Sequence, residues 1–545
     1  MVAGDGPAIS AVLAPADRRL RRALGLAGGL VAFGFLAGAL LAVPLVTGLW
    51  PAAPLALLQD PYLRGIVAFT LEQAALSALL SLALGIPLGL ALHRTRLPGR
   101  AFVLRLFLVP QALPPLVGAL GLLAVFGRGG WLGDAFALAG LPRPSIYGLA
   151  GILLAHVFFN AALVARLVYG ALGAVPHESW RIAGQLGLSP LAVLRHVEGP
   201  AVLRALPQAA SLVFALCVTS FTLVLVLGGG PAATTVEVAV YQALRYDFDP
   251  GRALALALLQ IGLVALALAP LLMIGGSTAD LGLGHAGAAR RFDRPSRGRT
   301  VLDGFVIALG LALLLCPLAA LVANGLAADL GRLVGDPAVA RAALTSLLVA
   351  VPAALLGLGL SLALALAAAG GGTFARLAAG GASALVLVVP PIVVGAGWFL
   401  LLRGTGDVAR LAPVVVVVAQ AVLILPYGVR LFLPAIVEAD RRHGRLALGL
   451  GLTGWARLRH LEGPALRRPA SLALGLALAV SLGDLSTVAL FGSTDFTTLP
   501  LLLLQRMGSY RSADAAGLAL LLGLGVLAVL LAAEVSGRQR GETRA

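Results

Sequence analysis

The chain contains no lysine, and all 40 of its basic residues are arginine. A P-loop needs a lysine to reach the β- and γ-phosphates, so that motif is excluded in its usual form. No stretch is polar and long enough for an ATP-binding domain. Cysteine is almost absent. Cys217 and Cys316 both lie inside apolar segments. Neither a disulfide framework nor a thiolate metal site fits two such residues. No zincin motif, GxSxG elbow or paired carboxylate site is found, so no catalytic or metal-ligating residue is expected. Charge is scarce too, at 12% of residues, and aromatics make up 6%. Soluble domains carry roughly 25% charged residues.

In place of these the sequence has apolar surface. The chain is 545 residues long, 59% of them hydrophobic, with a mean hydropathy of +0.98. Surface of this kind requires lipid, and the length is best used in helices of about 20 apolar residues each. Twelve such runs are predicted: 23–46, 67–92, 101–126, 146–174, 206–228, 252–274, 301–323, 341–369, 376–402, 411–436, 469–491 and 513–534. The expected fold is therefore an all-α integral membrane protein. The first run follows Arg18, Arg19, Arg21 and Arg22 and exceeds the ~7–15 residues of a cleavable signal core. It is read as an uncleaved membrane helix.

The net charge of +16 does not require a nucleic acid, because most arginines occupy short gaps between apolar runs. With the N-terminus in the cytoplasm, 28 arginines fall on the cytoplasmic side and 11 on the other, while Arg166 lies within a span. This is the positive-inside bias, and it places both termini in the cytoplasm. Residues 275–300 form the most polar stretch mid-chain and read as a cytoplasmic linker between an N-terminal half, 1–274, and a C-terminal half, 301–545, of about six helices each. Its arginines set topology or meet anionic membrane lipid.

The halves are repeats. RHVEGPA at Arg195–Ala201 recurs as RHLEGPA at Arg459–Ala465, with six identities in seven at an offset of 264. Gly187-Leu188-Ser189 recurs as Gly451-Leu452-Thr453 at the same offset. VPQALPPLVGALG at Val109–Gly121 loosely matches VVPPIVVGAG at Val388–Gly397. Two six-helix repeats have the same orientation, which places a pathway between the halves.

The loop after the fourth run of each half carries the strongest functional signal. Ala183, Gly187, Val197 and Pro200 are spaced A-x3-G-x9-V-x2-P, and Ala447, Gly451, Leu461 and Pro464 repeat that spacing without a gap. The segment before each glycine suits a short helix, the glycine suits a left-handed turn, and the proline is expected to start the next span. Arg181 and Arg445 stand two residues before the alanines.

This pattern resembles the cytoplasmic loop of binding-protein-dependent ABC importer permeases, E-A-A-x3-G-x9-I-x-L-P. Arg181 and Arg445 replace its glutamate, and Gly199 and Gly463 replace its leucine. The stretches Leu227–Ala253 and Ser481–Gly517 narrow the resemblance to the fused permeases of thiamine importers. The resemblance implies two fused type I permease halves in the bacterial inner membrane. It implies transport of thiamine, with its phosphates left open, by alternating access. It also implies a separate ATP-binding cassette ATPase dimer and a periplasmic thiamine-binding protein, with no cofactor on this chain. A fused permease for another cargo such as iron(III), and an ion-coupled carrier with two parallel repeats, are the alternatives.

Polar residues inside the runs are few. Asp484, in the run 469–491, needs a partner on another helix, water or a proton, because a charge at mid-bilayer costs roughly 2.5–3.5 kcal/mol. A cationic ligand gives it a function, and Phe221 and Trp398 offer aromatic faces for the same ligand. Glu72 is the fourth candidate along a substrate path. The loop 228–249, with Glu237, Tyr241, Tyr246, Asp247 and Asp249, is either solvated or a docking surface for the binding protein.

Overall fold

Proline begins many of the helices, because its missing N–H is one that the first turn leaves unpaired in any case. In the computed structural model it does so at Pro61–Arg94, Pro115–Phe126, Pro250–Met273, Pro337–Gly370 and Pro391–Thr405. The structure describes residues 13–47, 59–95, 97–273, 297–370, 373–406, 408–509 and 511–542. Among them there is no strand. This is what lipid imposes, since a helix satisfies its backbone groups within one segment. Among the described residues, eleven helices are long and apolar enough to cross a membrane, and twelve if the pair Ala379–Val388 and Pro391–Gly404, bent by 87°, counts as one broken span. The expected linker 275–300 lies outside the described residues except for 297–300, which open the helix Arg297–Leu326.

Several expected runs are broken by their own residues. The predicted span 376–402 bends at Pro390-Pro391, and the predicted span 101–126 is interrupted at Pro114-Pro115, the equivalent pair of the first repeat. A residue that precedes proline is driven out of the helical region, so each pair ends one segment and starts the next. The third membrane-length helix is consequently Pro115–Leu138. The predicted spans 206–228 and 469–491 are also discontinuous. Their helices end at Val218 and Gly483, and short helices resume at Phe221 and Val488.

Two compact units result. One contains Met1–Gln59, Glu237–Ile261 and Leu326–Ala545, and the other Asp60–Val236 and Gly262–Gly325. The first described helix, Pro15–Thr47, therefore packs with helices of the second half, among them Pro337–Gly370 and Pro391–Thr405. Arg297–Leu326, the first helix of the second half, belongs to the unit of the first half. The two dockings match. A Cβ at Gly397 would collide with the Ala39 carbonyl, and one at Gly121 would lie 2.8 Å from the Pro317 carbonyl. Gly121 and Gly397 close the matching segments that begin at the paired prolines, and Ala39 and Pro317 lie on the first helices of the two halves. The same small-residue approach is thus made twice.

Candidate functional site

In the first half, the helix His177–Gln185 ends at Gly187, whose φ is +56°. The Leu188 N–H donates to the Ala183 carbonyl at 3.1 Å, and the Gly187 N–H to Gly184 at 3.2 Å. The second half repeats this end. Gly451 has φ +67°, the Leu452 N–H donates to Ala447 at 2.9 Å, and the Gly451 N–H to Leu448 at 3.0 Å. Both are Schellman ends, in which a left-handed residue lets the chain reverse onto its last carbonyls. Ala183 and Ala447 are buried beneath the turns. Ala183 shares a cluster with Trp180, Val193, Leu188 and Val197, and Ala447 with Ala439, Leu452 and Leu461. The structure thus brings the alanine and the Val197 or Leu461 position of each motif together.

Pro200 and Pro464 do not start the next spans. Those helices already run from Pro190 to Val218 and from Gly454 to Gly483. The turns before the prolines, Leu194–Glu198 and Leu458–Glu462, are π-helical. A proline ring clashes with the carbonyl four residues back, here His196 and His460, and one widened turn relieves the clash without ending the helix. A second difference lies before the turn. The second half has no separate short helix among the described residues, and Arg445 belongs to the long helix Val408–Gly449.

The outer faces of the loops agree at positions that the motif does not name. Ile182 and Leu446 are 54% and 62% exposed, Leu186 and Leu450 68% and 66%, and Leu191 and Trp455 74% and 73%. Each pair occupies one position of the repeat. Arg181 and Arg445 are exposed beside them. Apolar side chains exposed together mark a surface that meets another protein or a membrane. The signal for these six residues was the repeat offset itself, applied to apolar positions instead of motif positions.

The expected path residues are placed as follows. Asp484 ends the helix Gly463–Gly483, and its break is the repeat counterpart of the one at Ser220. Its carboxylate accepts from Gln420 Nε2 at 3.1 Å, from the Ser486 N–H at 3.1 Å and from the Thr487 hydroxyl. Of the three expected ways to accommodate Asp484, the structure shows a partner on another helix, Gln420. Phe221 is buried at the start of the short helix after Ser220, and Glu72 is exposed. Trp398 stacks on Phe35 at 4.9 Å, and its Nε1–H donates to the Phe35 carbonyl at 3.1 Å. Its ring is used in docking the first helix. Among the described residues no group of three His, Cys, Asp or Glu side chains could hold a metal ion.

The model of the family described as "Binding-protein-dependent transport system inner membrane component" matches residues 82–275 and 357–540. Among relatives, the thiamine transport system permease protein ThiP of Brucella abortus (strain 2308) is 46% identical over 525 residues, covering 95% of this chain and 96% of its own length. The protein of the same name from Escherichia coli K12 is 41% identical, with 87% and 90% covered, and that of Haemophilus influenzae is 34% identical, with 86% and 88% covered. Two copies of one family domain on one chain account for the repeat, the paired loops and the membrane helices together, and the chain belongs to the family of binding-protein-dependent transport system inner-membrane components, as a fusion of two permease halves.

Proposed function

We propose that this chain is the permease of a thiamine importer, working in the bacterial inner membrane with a separate ABC ATPase dimer and a periplasmic thiamine-binding protein. The cargo is taken from the names of relatives that align along nearly the whole chain. Both termini lie in the cytoplasm, consistent with the arginine asymmetry. ATP is hydrolysed on the partner, and this subunit supplies the pathway.

The observation that carries the reading is the duplicated loop tip. Two Schellman ends present the same three apolar positions beside the same arginine. Two such faces suit a partner with two equivalent seats, as an ATPase dimer has. An ion-coupled carrier works alone and has no use for them. In this reading Ala183, Gly187, Val197 and Pro200, with Ala447, Gly451, Leu461 and Pro464, set the shape of the coupling tips. Asp484 lies on the substrate path and favours a cation, thiamine's thiazolium being permanently charged. Asp484→Asn is then expected to slow uptake while expression stays normal.

Reconstitution tests the whole. Proteoliposomes holding the permease and its ATPase, supplied with binding protein, should accumulate radiolabelled thiamine only with ATP and all three components. Uptake by the permease alone, driven by a proton or sodium gradient, would overturn the importer class. ATP-driven uptake of iron(III) and not thiamine would overturn the cargo.

A further inference from the structure

Each coupling loop is followed by the same buried acid. Glu198 and Glu462, the glutamates of the two RHxEGPA repeats, close the two π turns and are buried. A carboxylate is destabilising when buried unless it is paired. In the first cluster, Arg94 Nε lies 3.0 Å from Glu198 Oε1 and Arg299 Nη2 lies 3.1 Å from Oε2, while Arg94 Nη1 lies 3.4 Å from Asp303. In the other, Arg21 pairs with Glu462 and lies 3.3 Å from Asp440, while Arg457 pairs with Asp440 and lies 3.3 Å from Glu462. Each cluster holds two arginines and two carboxylates.

Only half of each cluster is repeated. Arg21 precedes Ala39 by as many positions as Arg299 precedes Pro317. The two arginines are therefore equivalent positions on the first helices of the two halves, and each reaches the equivalent glutamate of the opposite half. The remaining charges have no counterparts. Arg94 corresponds to Gly370, where a Cβ would fall 2.9 Å from Arg21 Cδ. Arg457 corresponds to Val193, Asp440 to Pro176 and Asp303 to Gly25. Burial demands neutrality, and the two clusters reach it with different residues around one retained pair.

A second grip accompanies the first. Arg299 Nη1 donates to the Pro190 carbonyl at 3.1 Å, and Asp17 Oδ1 accepts from the Gly454 N–H at 2.6 Å. Pro190 and Gly454 are again one position of the repeat. Proline has no N–H, so only its carbonyl can be held and a cation does so; glycine has an N–H, and an anion holds it. The helices themselves dock through apolar and small residues, and such contacts need no buried ions. The ions sit where each coupling loop runs into the next membrane-length helix.

We propose that Arg299–Glu198 and Arg21–Glu462 are positioning pairs of the transport cycle, each fastening a coupling loop to the first helix of the other half so that loop displacement moves that helix. This rests on the coupling reading above. The test uses neutral double variants, Arg21→Gln with Glu462→Gln and Arg299→Gln with Glu198→Gln, in the complex with ATPase and binding protein. Each leaves one arginine facing one carboxylate, so no charge is stranded. The doubles should fold and co-purify with the ATPase, yet radiolabelled thiamine taken up per ATP hydrolysed should fall on the order of tenfold, the size of a typical coupling between sites. The proposal is overturned by doubles that keep the native ratio. It is equally overturned by doubles that no longer fold, since the pairs would then serve the fold and not the cycle. Failure of the coupling reading looks different: Leu186→Asp and Leu450→Asp would leave ATPase co-purification intact.

Discussion

In the first half, Pro176 separates the short helix His177–Gln185 from the membrane helix Leu149–Gly173. In the second half, Asp440 occupies the same repeat position and the helix Val408–Gly449 runs through it. One loop is a hinged helix and the other is the stiff end of a long one. The hinged helix is held from beneath by Trp180, which is fully buried with its ring 5.4 Å from that of His93 and tilted 34° to it. Gly444 stands at that position in the stiff loop, which needs no such anchor. Yet the two tips agree in their Schellman hydrogen bonds and in three exposed apolar positions. The scaffold has been free to diverge, and the surface offered to a partner has not.

Exchanging the scaffold residues is the most severe way to break this comparison. Asp440→Pro would place a proline inside a continuous helix, at a cost of about 3 kcal/mol or more. It would also remove a carboxylate that pairs with Arg21 and Arg457. Most of the folded protein should be lost, as read by the monodisperse peak of a fluorescent fusion. Pro176→Ala removes a break that the first half already accommodates, and it should leave that peak intact. Equal losses from the two substitutions would show that the loops are built alike after all.

The shared tips are tested next. Leu186→Asp and Leu450→Asp change exposed side chains, so folding should not respond. Interface anchors are worth about 2 kcal/mol or more each, so each substitution should weaken ATPase capture about thirtyfold. Trp455→Ala should weaken it more than Leu191→Ala, because the larger aromatic anchor lies in the second loop. Titration of the ATPase onto nanodisc-embedded permease measures both effects.

How much of this could be read from the residues depended on range. Repeats, prolines and apolar runs are local, and the membrane class and the duplication are legible in them. Breaks within runs were missed because hydropathy does not see a helix end: Pro390-Pro391 and Gly483-Asp484 lie inside segments that are apolar throughout. The swap of first helices was illegible for a different reason. The contact of Arg21 with Glu462 spans 441 residues, and neither residue looks unusual alone. Trp398 offers an aromatic face in the sequence, and Phe35, which stacks on it, comes from the same distant helix.

A smaller effect comes from the turns themselves. Among the described residues, no atom beyond the chain neighbours lies within 4 Å of a Cβ placed at Gly187 or Gly451, so the constraint is the left-handed backbone and not crowding. Gly187→Ala and Gly451→Ala should each strain the tip by roughly 1–2 kcal/mol. ATP-coupled uptake should fall by about tenfold at most, and asparagine, which tolerates this region, should restore part of it. The hinged first loop can shift to relieve the strain, so Gly187→Ala should be the milder of the two. The opposite order would place the stiffness in the wrong loop.

The mildest test uses a residue that only one half possesses. Glu237, in the helix Val236–Arg245, is buried, and its Oε1 has no hydrogen-bond partner among the described residues. At the offset that carries Thr234-Thr235 to Thr497-Thr498, the second half has Pro500 and no acid. Burial raises the carboxyl pKa of Glu237 well above its ordinary value. The folded state therefore keeps a proton that the unfolded chain releases near pH ~4.3. Wherever the folded state binds the extra proton, stability falls as pH rises. The loss begins above the unfolded pKa and grows until the folded pKa is reached. Glu237→Gln mimics the protonated side chain and removes this dependence. Melting of the detergent-solubilised protein, followed from pH 5 to pH 8, should show the variant gaining on the native chain as pH rises, with the difference smallest at the acid end. A difference that does not change with pH would mean that Glu237 is ionised and paired in the folded protein, and the asymmetry between the halves would then be one of charge and not of a buried neutral acid.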